Sequence, residues 1–441
     1  MKKIILLIVM GLSITAVFSQ TDSTAVKDEK VKTGFSMGGV PALAYNTDTG
    51  FRYGALANLY FYGDGSNYPA YNHSIYMEWS RTTKGSGNMH LEYDARTLIP
   101  NTRMKAEVRY LTEQALDFYG FNGYESYYNS DFSNDSHDDY ITRMFYRHER
   151  KMLRLKADFE GNIGSEKLRW LAGFSYNNVE ISSVDIATLN DGQEPENMLP
   201  DTATLYDNYV DWGIIKEDQV TGGNVTSLKL GAVYDTRDNE PNPNRGIWSE
   251  AILTTAPSFL GNDYAYSKLL LTHRQYFTIV PERLTFAYRL SWQARLGGEI
   301  PFYMLPFAVD SKRTEDGLGG AKNVRGVYRN RIQGNSMAFG NFEFRWKFYK
   351  GVVLNQNLYL ALNTFIDAGM VTEKYSFEPT VVLPAEYSDW IDYEDETLHP
   401  SFGGGLRIAL NENFIIAVEY GQAFAVEKDG SGFYIGLNYL F

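Results

Sequence analysis

The chain has 441 residues, with 41 Lys and Arg against 54 Asp and Glu, a formal net charge of −13, and no Cys. That balance argues against a nucleic-acid partner, which needs a basic stripe, and the missing thiols exclude a lipid-modified Cys anchor, a disulfide framework and thiolate metal sites. Aromatic residues reach 15%, with 33 Tyr and 26 Phe, and mean hydropathy is −0.34, a profile of strands and membrane interfaces rather than helical spans.

In chain order, residues 1–19 read as a secretory signal peptide. Lys2 and Lys3 form the basic end, Ile4 to Phe18 the apolar core, and Val17 and Ser19 a small-residue cleavage site before Gln20. The apolar run is shorter than the roughly twenty residues of a helical span. Residues 20–33 are polar and charged and are expected to be a short periplasmic linker. Residues 34–441 are expected to form one body.

From Gly34 onward the dominant signal is alternation at period two. Met89, Leu91, Tyr93 and Ala95 alternate with His90, Glu92, Asp94 and Arg96; Phe342, Phe344 and Trp346 alternate with Asn341, Glu343, Arg345 and Lys347. At the end of the chain Phe433, Ile435, Leu437, Tyr439 and Phe441 fall on one side, which is expected to face lipid. A soluble β-sandwich also alternates, so periodicity alone does not decide. Three further features do. The chain starts with an export signal, the segments have the length of about ten residues that crosses a bilayer when tilted, and connections alternate between short and long. Short ones fall near Asn162–Lys167, Val280–Arg283, Lys350–Leu354 and Leu410–Asn413; long ones near Thr112–Asp139, Ser182–Gly223, Gly297–Asn335 and Val371–His399. The expected fold is an all-β transmembrane antiparallel barrel of about sixteen strands in the outer membrane of a Gram-negative envelope.

A glycine-rich stretch, Gly317 to Arg331, lies between the expected strands 11 and 12 and carries Arg325 and Gly326. The next two strands each offer an acid at an inward position, Glu343 and Asp367. A lone guanidinium in a lumen is costly, and the Arg fork suits paired carboxylates. The loop is therefore expected to fold inward, with Arg325 held by Glu343 and Asp367; the competing reading is a mobile outer loop with an ordinary surface Arg. In the run Tyr234, Asp235, Arg237 and Asp238, the charges are expected to stitch the lumen to a periplasmic turn shaped by Pro243 and Gly246, a structural role favoured over one in transport.

Chemistry is otherwise sparse. There is no Gly-x-Ser-x-Gly elbow, P-loop or His-Glu-x-x-His, so no enzyme, catalytic residue or cofactor is expected. The six His residues lack metal spacing, and His90 reads as a lumen residue. The acidic stretches Asp131–Asp139 and Asp185–Asp218 lack the EF-hand order and read as solvated loops without a metal.

Taken together, the motifs resemble the BamA/TamA-type outer-membrane assembly and translocation superfamily, the bacterial surface antigen barrels. The resemblance rests on Gly231 to Asn239 with Pro243 and Gly246, Asn323 to Tyr328, Glu343 to Arg345, Phe365 to Gly369, Gly403 to Arg407 and Asn438 to Phe441, in order over the C-terminal half. Two departures stand out: Val327 replaces the aromatic that follows Arg-Gly in the family, and only the short linker precedes the barrel where the family carries periplasmic polypeptide-transport domains. The resemblance implies insertion or translocation of protein or lipid through a seam between the first strand, near Ser36–Tyr45, and the last, near Gly432–Phe441, with Gly436 weakening it. It also implies Tyr439 and Phe441 as a C-terminal insertion signal read by the outer-membrane assembly machinery, contact with outer-membrane lipid, and a periplasmic or lipoprotein partner in place of the missing domains. The alternative from a different class is a passive pore or a membrane platform for a separate partner.

Overall fold

The structure is a computed structural model. It describes residues 31–441 apart from 43, 47–49, 69, 241, 312–313, 354–355, 378–380, 382 and 411–413. The expected signal peptide (1–19) and most of the expected linker (20–33) thus lie outside the described residues.

Sixteen strands follow one another in a single antiparallel meander. They are β1 (Gly34–Pro41, continued by Ala44–Asn46), β2 (Gly50–Gly63), β3 (His73–Thr82), β4 (Gly87–Ile99), β5 (Thr102–Asp117), β6 (Arg147–Ile163), β7 (Ser165–Ser182) and β8 (Gly222–Asp235). The second half comprises β9 (Gly246–Ala256), β10 (Tyr266–Val280), β11 (Leu284–Gly298), β12 (Ser336–Val353), β13 (Gln356–Glu373), β14 (His399–Leu410), β15 (Phe414–Ala423) and β16 (Ser431–Leu437). Each strand pairs with its sequence neighbours, the topology of an up-and-down barrel.

The alternation resolves into an outside and an inside. On β12, Phe342, Phe344 and Trp346 are exposed while Glu343 and Arg345 are buried; on β4, Met89 and Leu91 point outward while Asp94 is buried. The apolar set is therefore the outer face, and the bore is lined with charge: Glu107, Arg154, Lys156, Asp158, Lys229, Arg274, Arg289 and Arg407 are all buried. That is the inverse of a soluble sandwich.

Tight turns share one rim, and the long connections rise from the other. Apolar residues of four long loops, 118–146, 183–221, 299–335 and 374–398, pack into one cluster over the outer mouth. Phe118, Phe121, Phe145, Leu205, Tyr209, Phe302 and Tyr375 belong to it. The acidic stretches were expected to be solvated loops. Their charges do point outward, but interleaved aromatics bury about 150–250 Å² apiece and draw the loops together. One piece, the helix Leu205–Asp211, starts with a reciprocal cap in which Thr204 Oγ1 accepts from Asp207 N and Thr204 N donates to the Asp207 carboxylate.

Ladders run from β1 to β16 through consecutive strands. The two ends of the sheet come together where the Phe414 ring of β15 lies so close to Gly38 of β1 that a Cβ there would stand 2.8 Å from its Cδ2.

Candidate functional site

The loop between β11 and β12 does fold inward. Asn323 shapes its turn: Oδ1 accepts from Gly319 N at 2.7 Å and Val324 N at 2.8 Å, and Nδ2 donates to the Gly317 carbonyl. Leu318, Val324, Val327 and Ile332 then form an apolar underside that packs on Met337, Val371 and Ala423 of the wall. Burying these side chains supplies the loop's adhesion, and the turn aims Arg325 into the bore.

Arg325 is fully buried. Its Nε donates to Asp367 Oδ2 at 2.8 Å, Nη2 to Asp367 Oδ1 at 3.0 Å, and its backbone N to Oδ2 at 3.1 Å. Nη1 reaches Glu343 at 2.8 Å and Glu419 at 2.6 Å. The guanidinium also lies over the Phe365 ring, 3.5 Å from its centroid. Arg345 pairs with Glu343 at 2.7 Å and Arg407 with Glu419 at 2.7 Å. Three arginines thus face three acids, so the buried charge is balanced within the cluster. Asn363 Nδ2 bridges Glu343 and Glu419 at 3.2 and 3.3 Å. A network satisfied to this degree holds one geometry, because any partial version leaves a buried charge exposed to a low-dielectric interior.

Glu419 was not anticipated. Its signal is visible in retrospect, since it is the sole charged side chain in Phe414–Ala423 and shares parity with inward positions. Tyr434 of β16 was missed as well; its Oη accepts from Gly326 N at 2.9 Å.

The chain end corrects an expectation. Tyr439 and Phe441 do not face lipid; they are 3% and 6% exposed. The strand stops at Leu437, Asn438 takes a φ of 68°, and the last three residues turn into the bore. There Tyr439 lies under Arg345 at 4.4 Å and Arg407 at 5.2 Å, and Phe441 under Arg345 at 4.9 Å. Arg345 Nη2 donates to the Phe441 backbone oxygen at 3.0 Å. Two arginine faces offering cation–π contact outweigh the period-two register once Asn438 breaks it.

Residues 110–441 match the Omp85 superfamily domain. The chain belongs to the Omp85 superfamily. It is accordingly a Gram-negative outer-membrane protein, and its fold agrees with solved structures. BamA from Haemophilus ducreyi lacking POTRA domains 1–3 superposes with a TM-score of 0.50 at 16% identity, over 92% of this chain and 69% of that one. CdiB from Escherichia coli superposes with a TM-score of 0.54 at 10% identity, over 92% of this chain and 62% of that one. No curated protein sequence matches.

Elsewhere in this Omp85 barrel the residues singled out from the sequence take simpler places. Tyr234 is exposed on the outer face. Asp235 accepts from Arg237 Nε at 2.9 Å and pairs with Arg169 at 3.4 Å. Arg237 lies 4.3 Å from the Trp248 ring centroid, and Asp238 accepts from Asn244 N and Arg245 N across the turn. This is a stitched turn at the rim of tight turns.

A second buried cluster joins the outer loops. His399 Nδ1 lies 2.9 Å from Asp429 Oδ1, and Nε2 lies 3.2 Å from Glu396 Oε2. Tyr124 stacks on His399 at 3.8 Å and donates to Asp429 at 2.5 Å, while Arg331 reaches Asp429 at 3.6 Å and the Gly123 carbonyl at 2.7 Å. Both imidazole nitrogens face carboxylates, an arrangement that favours the protonated ring over the neutral one. Four outer loops converge on this one ring.

Proposed function

We propose that this Omp85 barrel assists insertion or translocation of protein, or lipid, at the outer membrane through the seam between β1 and β16, with Arg325 pinning the inward loop beside it. The observation that carries the proposal is the Arg325 cluster, which ties the inward loop to β12, β13 and β15 and, through Gly326 and Tyr434, to β16 itself. Strands opened along the seam would carry unpaired backbone groups that cost several kcal/mol each in hydrocarbon and would be ready to pair with an incoming strand. Under this proposal residues 1–19 direct export and residues 20–33 are a periplasmic linker. The C-terminal strand is read by the assembly machinery, a periplasmic or lipoprotein partner joins from inside, and no catalysis or cofactor is involved.

The test is a set of cysteine pairs placed along β1 and β16 in the otherwise Cys-free chain. Liposomes containing the barrel are offered an unfolded eight-stranded barrel, and its folding rate is read by heat-modifiability. A seam-gated device accelerates folding when reduced and loses that acceleration when oxidised. Equal acceleration in both states removes the seam from the mechanism, and no acceleration in either favours a passive pore or a platform.

A further inference from the structure

Almost every acid in the bore meets a cation at hydrogen-bond distance. Asp158 pairs with Lys229 at 2.6 Å, Glu113 with Arg150 at 2.6 Å and Glu343 with Arg345 at 2.7 Å. The pair Glu92 and Glu107 departs from that rule. Glu92 of β4 and Glu107 of β5 stand directly opposite each other in register, with both side chains on the lumen face. Like charges so placed repel. Glu92 is half-buried, and the cations that act on it, Lys105 and Lys156, do so through space. Glu107 is 7% exposed, its Oε1 has no hydrogen-bond partner, and its nearest cations stop at 3.7 Å (Arg154) and 3.8 Å (Lys156).

His90 completes the group. It sits two residues before Glu92 on the same face, and its buried Nε2 has no hydrogen-bond partner. Its one packing contact of note is edge-on with Tyr76, 5.1 Å between ring centroids. One donor atom from each of His90, Glu92 and Glu107 lies within 4.8 Å of the other two. Tetrahedral coordination at about 2.1 Å brings donors within about 3.5 Å of one another, a gap within reach of side-chain rotation on Glu92 and Glu107. Burying His90 Nε2 and Glu107 Oε1 without hydrogen bonds is costly, and a cation between them and the half-buried Glu92 satisfies both atoms and removes the repulsion.

We propose that His90, Glu92 and Glu107 bind a divalent transition-metal ion on the lumen wall, bridging β4 and β5. One imidazole with two carboxylates suits a borderline ion such as zinc rather than calcium or magnesium, which take oxygen ligands in larger number. The fourth position is left to water or to cargo in the bore. Scanning the histidines for sequence spacing missed the site because its third ligand comes from the neighbouring strand. All three residues precede the segment that the Omp85 domain matches, so the site belongs to the part of the barrel that the family motifs do not describe.

The test uses untagged, metal-stripped barrel in detergent, titrated with Zn²⁺ by calorimetry and with Co²⁺ by visible absorption. One saturable site is expected, with the Co²⁺ bands of a nitrogen-and-oxygen shell. His90→Gln and Glu92→Gln are each expected to weaken binding by about tenfold or more. Glu92→Gln keeps shape and relieves repulsion, so it folds, as heat-modifiability verifies. The exposed loop group Asp131, His137 and Asp139 is the control, and His137→Gln is expected to leave binding unchanged. Absence of saturable binding in the unaltered barrel, binding untouched by both lumen variants, or binding abolished by His137→Gln overturns the proposal.

Discussion

Gly326 of the inward loop and Gly421 of β15 touch backbone to backbone. A Cβ on Gly326 would stand 2.5 Å from Gln422 N, and one on Gly421 would stand 2.9 Å from Gly326 N. Gly326 also has a φ of 94°, which side-chain-bearing residues avoid. The two glycines set the depth to which Arg325 descends. Gly421→Val is expected to lift the loop and cost about 1–3 kcal/mol through overpacking. The measurement is protease cleavage within 317–331, which should appear in the variant while the strands remain resistant.

Arg325→Ala leaves three buried acids facing two arginines and is expected to cost about 3–5 kcal/mol, read as a lower temperature for conversion of the compact band on gels. Arg325→Lys should recover only part of this, because a single ammonium cannot reproduce the two-pronged contact with Asp367. Combining Arg325→Ala with Asp367→Ala should give a coupling of about 0.5–3 kcal/mol. Additive losses would mean that the two residues act separately.

Tyr439→Ala separates a packing role from a signal role. Packed under Arg345 and Arg407, the ring is expected to contribute about 3 kcal/mol to the folded barrel. Protein refolded in detergent should therefore melt earlier. If Tyr439 serves only as an address read during assembly, refolded protein melts normally and only the yield in cells falls.

His399→Leu removes the imidazole that two buried carboxylates share, with an expected cost of about 3–5 kcal/mol. The loss should be local. Hydrogen exchange should rise in 118–146, 374–398 and 424–430, with β5 to β8 unchanged. Uniform acceleration across all strands would place His399 in the barrel's global stability instead.

Much of this architecture is legible from residue order because membrane and bore demand opposite chemistry on alternate residues. Phe342, Glu343, Phe344 and Arg345 declare their sides by type alone, and the inward parity of Glu343 and Asp367 suffices to bring them to one place once the sheet curls. Glu419 was harder to see because its partner comes from a loop about ninety residues earlier in the chain, and no period links a loop to a strand. The inward turn of Tyr439 and Phe441 escaped notice for a different reason. They continue the outer face of Phe433 and Ile435 in perfect register, and a single left-handed residue, Asn438, cancels that register. The outer cap was hidden because its aromatics are dispersed among acids that look solvated when read in line.

The floor and fastening of the bore come from the end of the chain. Glu419 and Tyr434 hold Arg325 and Gly326, and the backbone oxygen of Phe441 engages Arg345. A polypeptide whose last hairpin has not yet folded has an arginine loop with one acid too few and no Phe441 oxygen for Arg345, so the loop is expected to seat only after β15 and β16 are in place.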